Sequence, residues 1–378
     1  MADPASVVVR VAPSPTGDPH VGTAYACLLN YALRRKRGGR LILRIDDTDR
    51  TRYRPESEAA TLSELRWLGL EWDEGPDRGG PHAPYRQSER LELYRDACAR
   101  LIREGAAYRC DCTRERLQKV RAEQRHRKEQ PRYDGHCRDR SVPAESAHVV
   151  RLRMPAAGET VVEDGLRGRI SFHNSTLDDQ VLLKSDGFPT YHLATVVDDH
   201  EMGVTHILRA EEWLSSTPKH LLLYRAFGWD PPLFLHLPLL RNRDRSKISK
   251  RKNHTSLTWY HEHGFLPEAM VNFLALMGFS VGDDREVFTL EELVEAFEPE
   301  RIQTSAPVFD LEKLEWLNGV YIRRLVLPEL ARRLRDHSEL AAGADPELLH
   351  RILPLVRERL HRLTDFDDLA RFFFVRRV

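Results

Sequence analysis

The chain has 378 residues, 41% of them hydrophobic and 31% charged, with 58 Lys and Arg against 58 Asp and Glu. This composition excludes a disordered chain, and the length suffices for two or three domains with their own cores. No apolar run is long enough to span a membrane, Met1 to Ser6 lacks the pattern of a signal peptide, and five cysteines argue against a disulfide scaffold, so a cytoplasmic protein is expected.

The first element read along the chain is a short buried strand, Val7 to Val11. After a Pro- and Gly-rich turn, Val21 to Arg37 has helical periodicity, with Ala24, Leu28, Tyr31 and Ala32 on one face and Gly38-Gly39 as the stop. Arg40 to Ile45 reads as a second strand. Strand, helix and strand in so short a stretch form a βαβ unit, which implies a parallel sheet of nucleotide-binding type. Helical patterns follow at Glu56 to Leu68 and Ser88 to Glu104. An Arg-, Glu- and Gln-rich stretch from Thr113 to Pro131 interrupts the pattern as an insertion would. Strands return at Val149 to Arg153 and Val181 to Lys184, and the tail beyond Asp310 is helical and rich in Arg and Leu.

Net charge is silent about an anionic partner, but its distribution is not. Arg100 to Arg140 holds thirteen Lys and Arg against seven Asp and Glu, and Arg241 to Lys252 holds seven against one. Such stretches suit a phosphate-rich ligand, although two solvated loops would look the same.

Two segments carry candidate chemistry. Ala12-Pro13-Ser14-Pro15-Thr16-Gly17-Asp18-Pro19-His20-Val21-Gly22-Thr23 follows the first strand and opens the first helix. Helix N-termini at that end of an open sheet favour phosphate, through free N–H groups and the helix dipole. Gly22 would let a flat ring approach the backbone, while His20 and Thr23 offer hydrogen bonds. The second segment is Ser246-Lys247-Ile248-Ser249-Lys250-Arg251, in which two lysines three apart can neutralise a departing pyrophosphate.

Taken together, the two segments resemble the His-Ile-Gly-His and Lys-Met-Ser-Lys-Ser elements of class I aminoacyl-tRNA synthetases. Further stretches narrow the likeness: Arg44-Ile45-Asp46-Asp47-Thr48-Asp49-Arg50, Tyr85-Arg86-Gln87-Ser88-Glu89-Arg90, Ser185-Asp186-Gly187-Phe188-Pro189-Thr190-Tyr191, Val196-Val197-Asp198-Asp199-His200 and Phe309-Asp310-Leu311-Glu312-Lys313-Leu314. In order, from about residue 7 to 325, they are similar to bacterial-type glutamyl-tRNA synthetase. The resemblance implies an α/β Rossmann-type catalytic domain at 1–85 and 189–245, split by an α+β acceptor-end-binding insertion at 86–188. It further implies an α-helical stem-contact domain at 246–326 and a first anticodon-binding domain at 327–378. A second anticodon-binding domain has no counterpart, so the chain reads as truncated or naturally short.

The same resemblance implies a monomer whose substrates are L-glutamate, ATP with Mg²⁺, and tRNA(Glu). Activation would require tRNA and pass through glutamyl-adenylate. Glutamate would lie against Arg10, Ala12, Ser14, Asp46, Tyr191 and Arg209, and ATP against His20, Gly22, Thr23, Glu212, Leu240, Lys247 and Lys250. His20, Thr23, Lys247 and Lys250 would carry the phosphate chemistry. Arginine suits a carboxylate because its fork pairs bidentately, and a glutamine amide offers neither the charge nor two acceptors. The competing reading of Arg209 is a surface ion pair with Glu211 or Glu212. Asp46 departs from the family, which has Glu there to meet the substrate's amino group; neighbouring Asp47 could compensate.

Zinc is expected at Cys110, Cys112 and Cys137, with Asp139 standing where some relatives have His as fourth ligand, and Tyr133 and His136 close by. Cys27 and Cys98 lie on helical patterns and are expected to be buried instead. Arg359 aligns with an arginine that reads the third anticodon base in glutamate-specific relatives; a solvated helix face is the alternative. Two rival classes remain: a paralogue that glutamylates a modified tRNA base, and a non-catalytic RNA-binding relative. The stem-contact-like stretch from Thr255 to Arg323 argues against the first, and His20, Lys247 and Lys250 argue against the second.

Overall fold

The structure, a computed structural model, describes residues 6–246, 248 and 254–374. In chain order its first elements are β1 (Val8–Val11), α1 (Val21–Arg37), β2 (Arg40–Leu43), α2 (Pro55–Trp67), α3 (Leu91–Arg103), β3 (Ala107–Cys110) and α4 (Arg114–His126). Next come β4 (Val149–Leu152), β5 (Glu159–Asp164), β6 (Gly168–His173), β7 (Val181–Leu183), α5 (Tyr191–Glu201), β8 (His206–Ala210), α6 (Thr217–Phe227) and β9 (Leu233–Leu237). Eight helices follow: α7 (Leu257–Glu262), α8 (Pro267–Leu276), α9 (Leu290–Ala296), α10 (Leu311–Arg324), α11 (Leu327–Arg335), α12 (Glu339–Gly343), α13 (Pro346–Val356) and α14 (Phe366–Phe374). Among the described residues no helix is long and apolar enough to cross a membrane.

The chain gathers into two compact units. The first takes the described residues up to Ser14, then Arg40–Tyr53 and Asp73–His236. In it β1 and β2 pair in parallel, Val8 opposite Arg40 through Val11 opposite Leu43. Apart from half-buried Arg40, both strands are buried along their length, which explains their nearly unbroken apolar runs. Thr205, just before β8, locks onto β1: its N–H donates to the Val8 carbonyl and its Oγ1 accepts from the Val8 N–H, both at 2.9 Å. A four-stranded sheet runs in the order β6-β5-β9-β8, with β5 and β6 an antiparallel hairpin and Asp164 of β5 opposite Phe234 of β9 in parallel. A third sheet, β3-β4-β7, is antiparallel. One core joins these parts, with Val8, Ile42, Tyr94, Leu101, Leu152, Leu193, Leu223 and Phe234 among its members.

The second unit takes Pro15–Gly39, Arg54–Trp72 and the described residues from Leu237 onward. Here α1 ends as its sequence demands: Gly38 adopts φ 68°, a left-handed conformation that leaves its N–H to bond the Arg34 carbonyl. Helix α8 is almost wholly apolar and buried from Ala269 to Ala275. The tail is helical from α10 to α14, as expected.

Some boundaries differ from those read in the sequence. The helix expected from Ser88 starts at Leu91 after a 3₁₀ turn, Gln87–Glu89, because the Gln87 side chain turns inward to donate to Asp198 at 2.9 Å. The second strand stops at Leu43: beyond it Arg44 N–H bonds Val11 and Ile45 N–H bonds Tyr85. The Thr113–Pro131 stretch is largely a helix, capped by Thr113 Oγ1 accepting from the Arg116 N–H at 3.3 Å.

Candidate active site

In the first unit, β1, the residues after β2, the start of α3 and α5 bring charges together away from water. Arg44 is fully buried; its Nε donates to Asp46 Oδ1 at 2.7 Å, its Nη1 to Asp199 Oδ1 at 2.7 Å, and its Nη2 to Thr195 Oγ1 at 3.1 Å. Arg10, on β1, meets both oxygens of Asp199 at 3.3 and 3.4 Å. Asp198 takes Arg90 at 2.8 Å together with Gln87 and the Tyr94 hydroxyl. Three arginines and three aspartates therefore balance, as buried charge requires. Burial pushes the Asp46 carboxyl up, Arg44 pulls it back, and the balance leaves it at about 6. Asp199 ends below the ordinary range instead: burial raises it, but Arg10 and Arg44 outweigh that. Asp47 cannot stand in for Asp46, because its oxygens are bonded to the Ser88 N–H and hydroxyl and to Arg50.

Arg209, on β8, differs from this cluster. It is 5% exposed, which rules out the surface ion pair with Glu211 or Glu212; Glu211 instead pairs with Arg167 at 2.6 Å. Its Nη1 donates to the Tyr191 hydroxyl at 3.3 Å, and Tyr191 in turn packs its ring 4.4 Å from Trp213. Among the described residues, no carboxylate forms an ion pair with Arg209. Burial draws its pKa below the ordinary arginine value. Ala12 is half-buried and Ser14 exposed in the loop after β1, and Glu212 is exposed in the 3₁₀ turn Glu211–Ser216.

In the second unit, His20 is the N-cap of α1: its Nδ1 accepts from the Gly22 N–H at 2.9 Å. A Cβ on Gly22 would lie 3.0 Å from that nitrogen, so glycine is what lets the imidazole fold over the helix end. The Thr23 N–H bonds the His20 carbonyl at 2.8 Å. Val21 and Leu257 exchange backbone bonds with Thr255 and Pro19, which anchors the segment against the start of α7. Leu240 is buried, and its carbonyl accepts from the Ile248 N–H at 3.2 Å. Lys247 and Lys250 lie outside the described residues.

Residues 6–316 match the family model of class I tRNA synthetases (E and Q), catalytic domain. Glutamate–tRNA ligase of Thermus thermophilus is 55% identical across 97% of this chain and 80% of its own length, and that of Pseudomonas aeruginosa is 51% identical across 98% and 75%. The chain belongs to the glutamyl-tRNA synthetase family. A solved structure of a glutamate tRNA ligase from Elizabethkingia meningosepticum, in complex with its amino acid, superposes with a TM-score of 0.90 at 36% identity, covering 97% of this chain and 80% of that one.

Two further features of this synthetase are the cysteines of the first unit and Arg359 of the second. The sulfurs of Cys110, Cys112 and Cys137 all lie within 4.8 Å of one another, with Cys112 and Cys137 3.5 Å apart. Asp139 is not the group beside them: its side chain is 88% exposed and pairs with Arg153 at 3.0 Å. The hydroxyl of buried Tyr133 comes within 3.4 Å of Cys110 and 3.8 Å of Cys112, and accepts from the Cys137 N–H at 2.8 Å. Cys27 and Cys98 are buried in α1 and α3, as expected. Arg359 ends the 3₁₀ turn Arg357–Arg359 after α13 and is exposed.

Reading the sequence missed Arg44, His220 and His236, and assigned nothing to Asp164, Asp198 or Asp199. One signal was available: Leu233-Phe234-Leu235-His236-Leu237 places a histidine inside an apolar run.

Proposed function

We propose that the chain ligates L-glutamate to the 3′ end of tRNA(Glu), activating it with ATP as glutamyl-adenylate only when tRNA is present. The observation that carries the specificity is Arg209, a buried guanidinium that, among the described residues, hydrogen-bonds to neutral groups, Tyr191 among them. A substrate carboxylate would complete its charge balance, whereas an amide would leave it uncompensated. In this reading Arg10, Ala12, Ser14, Asp46 and Tyr191 hold the rest of the amino acid, with Asp46 accepting from its ammonium.

The glutamate α-carboxylate would attack the α-phosphorus of ATP and expel pyrophosphate; a ribose hydroxyl of the terminal nucleotide would then attack the activated carbonyl and expel AMP. The protein forms no covalent bond, so positioning and charge stabilisation carry the rate. His20, fixed by its cap at the start of α1, and Thr23 hold phosphate where the helix dipole favours it. Gly22, Glu212 and Leu240 contact the rest of the nucleotide, and Lys247 and Lys250 neutralise pyrophosphate as it departs. Mg²⁺ bound with ATP screens its phosphate charge. The free thiols of all five cysteines suit a cytoplasmic enzyme, which we take to be a monomer.

Zinc fits the cysteine cluster, with Tyr133 in place of Asp139 as fourth donor. Bonds of about 2.3 Å in a tetrahedron hold thiolate sulfurs roughly 3.7 Å apart, close to the Cys112–Cys137 spacing. Arg116 approaches Cys112 Sγ and Arg140 approaches Cys137 Sγ, each at 3.5 Å, and bound zinc would itself favour the thiolate form of its ligands. Bound zinc would tie the end of β3 to the loop at Cys137.

Glutamate-dependent ATP–pyrophosphate exchange tests the main reading. It is expected with tRNA(Glu) and absent without it; robust exchange without tRNA would favour the base-modifying paralogue.

A further inference from the structure

Three neighbouring strands of the β6-β5-β9-β8 sheet each contribute one buried polar side chain to a single line: Asp164 ends β5, His236 lies on β9 and Arg209 on β8. Asp164 Oδ2 lies 2.5 Å from His236 Nδ1, and His236 Nε2 lies 3.2 Å from Arg209 Nε. All three residues are nine-tenths or more buried. The rest of the Arg209 fork meets His220 Nδ1 and the Tyr191 hydroxyl at 3.3 Å, Thr217 Oγ1 at 2.9 Å and the Trp213 carbonyl at 3.5 Å.

Donor and acceptor rules leave one consistent assignment. A guanidinium only donates, so His236 Nε2 must present its lone pair to Arg209. The proton of the neutral ring then sits on Nδ1 and is donated to Asp164, which can take it only as a carboxylate. Two further donors, the N–H groups of Leu166 and Arg167 at 3.0 Å, support that ionised form. Burial pushes the Asp164 carboxyl up, but the His236 bond and these backbone donors bring it below the ordinary range. Burial likewise holds His236 in its neutral form. The same rule applies to His220, whose Nδ1 accepts from Arg209 and whose Nε2 faces His192 Nδ1 at 3.0 Å.

We propose that His236, fixed in one tautomer by Asp164, is a positioning residue for amino-acid selection: it aims Arg209 at the substrate's side-chain carboxylate without adding a counter-charge of its own. A carboxylate bonded directly to Arg209 would close the pair and make an acidic substrate repulsive. An imidazole between the two keeps the geometry and places the negative charge one ring farther away, so glutamate supplies the missing partner and glutamine cannot. The inference rests on reading Arg209 as the carboxylate clamp.

The test measures KM for glutamate and for ATP, and the preference for glutamate over glutamine, by pyrophosphate exchange with tRNA(Glu) present. Asp164→Asn and His236→Phe are expected to raise KM for glutamate by about tenfold or more, the loss typical of a hydrogen bond to a charged group. KM for ATP should stay within about twofold, and the preference for glutamate should fall with the glutamate effect. His236→Gln, which keeps an acceptor near the Nε2 position, should recover much of the loss. Arg209→Gln is measured alongside. If it leaves KM for glutamate unchanged, the clamp reading itself fails. If Arg209→Gln raises that KM while Asp164→Asn and His236→Phe do not, or while they raise both KM values alike, the clamp stands and the positioning role is overturned. Asp164→Asn placed in Arg209→Gln should add nothing; a multiplied loss also overturns it. Should His236→Phe fail to fold in a thermal melt, Asp164→Asn and His236→Gln decide by the same criteria.

Discussion

Arg44→Met tests whether the buried charge cluster is a structural necessity of the first unit. The substitution keeps the length and apolar stem of the side chain and removes one positive charge from a fully buried site. Asp199 keeps Arg10 and Asp198 keeps Arg90, but Asp46 loses the guanidinium that meets it at 2.7 and 3.4 Å. Breaking a buried ion pair from one side costs about 3–5 kcal/mol, because the other charge stays behind uncompensated. For a unit of this size that is a fall of roughly 6–20 °C in Tm. The pH dependence gives a sharper signature. The Asp46 carboxyl is already raised to about 6 with Arg44 beside it, and without Arg44 it must rise further. A carboxyl whose folded pKa lies above its unfolded one makes the fold more stable as pH falls through the folded value, by about 1.4 kcal/mol per unit. The stability gap between wild type and Arg44→Met should therefore narrow by roughly 1–3 kcal/mol on going from about pH 8 to about pH 6. Guanidinium unfolding followed by circular dichroism reads both quantities. A gap below about 1 kcal/mol at pH 8, or one that widens on acidification, would refute the reasoning.

The remaining predictions concern function. Because an ionised Asp46 is needed to meet an ammonium, kcat/KM for glutamate should show an acid limb near pH 6, and Asp46→Asn should lower the neutral-pH value and flatten that limb; an unchanged limb in the variant would assign it to another group. Purified protein that has not met a chelator should carry close to one equivalent of zinc by elemental analysis, and Tyr133→Phe should weaken its retention against a chelator more than Asp139→Ala does. Less than a tenth of an equivalent in the wild type would remove the metal. Arg359→Gln should raise charging of glutamine tRNA relative to glutamate tRNA while leaving glutamate activation at saturating tRNA little changed; equal losses on both tRNAs would leave the residue only a contribution of charge.

Sequence alone made the β1-α1-β2 segment legible because each piece obeys a local rule. The strands are apolar but for Arg10 and Arg40, the helix has a 3.6-residue stripe, and Gly38 supplies the left-handed stop. The hairpin β5–β6 obeyed no such rule. Its inward positions Thr160, Val162 and Asp164 mix polar and apolar side chains, so the alternation that marks a strand is blurred where the polar residues are buried. The same blurring hid the charge cluster. Asp198 and Asp199 sit in a stretch singled out for its resemblance, yet nothing local announces that they face inward to Arg90, Arg44 and Arg10. Tyr133 stands near the cysteines in sequence, but Asp139 holds the position where some relatives have a histidine ligand, and only the folded loop puts the phenol against the sulfurs.

The first unit thus treats buried positive charge in two opposite ways, and the contrast carries a functional argument. Arg10, Arg44 and Arg90 are matched by Asp46, Asp198 and Asp199, and these pairs hold β1 and the loop after β2 to α5 and the start of α3. Arg209 is as deeply buried, but it is held by two imidazoles, two hydroxyls and a carbonyl. Had stability alone shaped this site, an apolar side chain or a direct carboxylate partner would serve better than a guanidinium among neutral groups. A carboxylate placed against this guanidinium would compensate its charge where an amide would not, and this contrast with the matched arginines is what supports the proposed role of Arg209 in selecting glutamate.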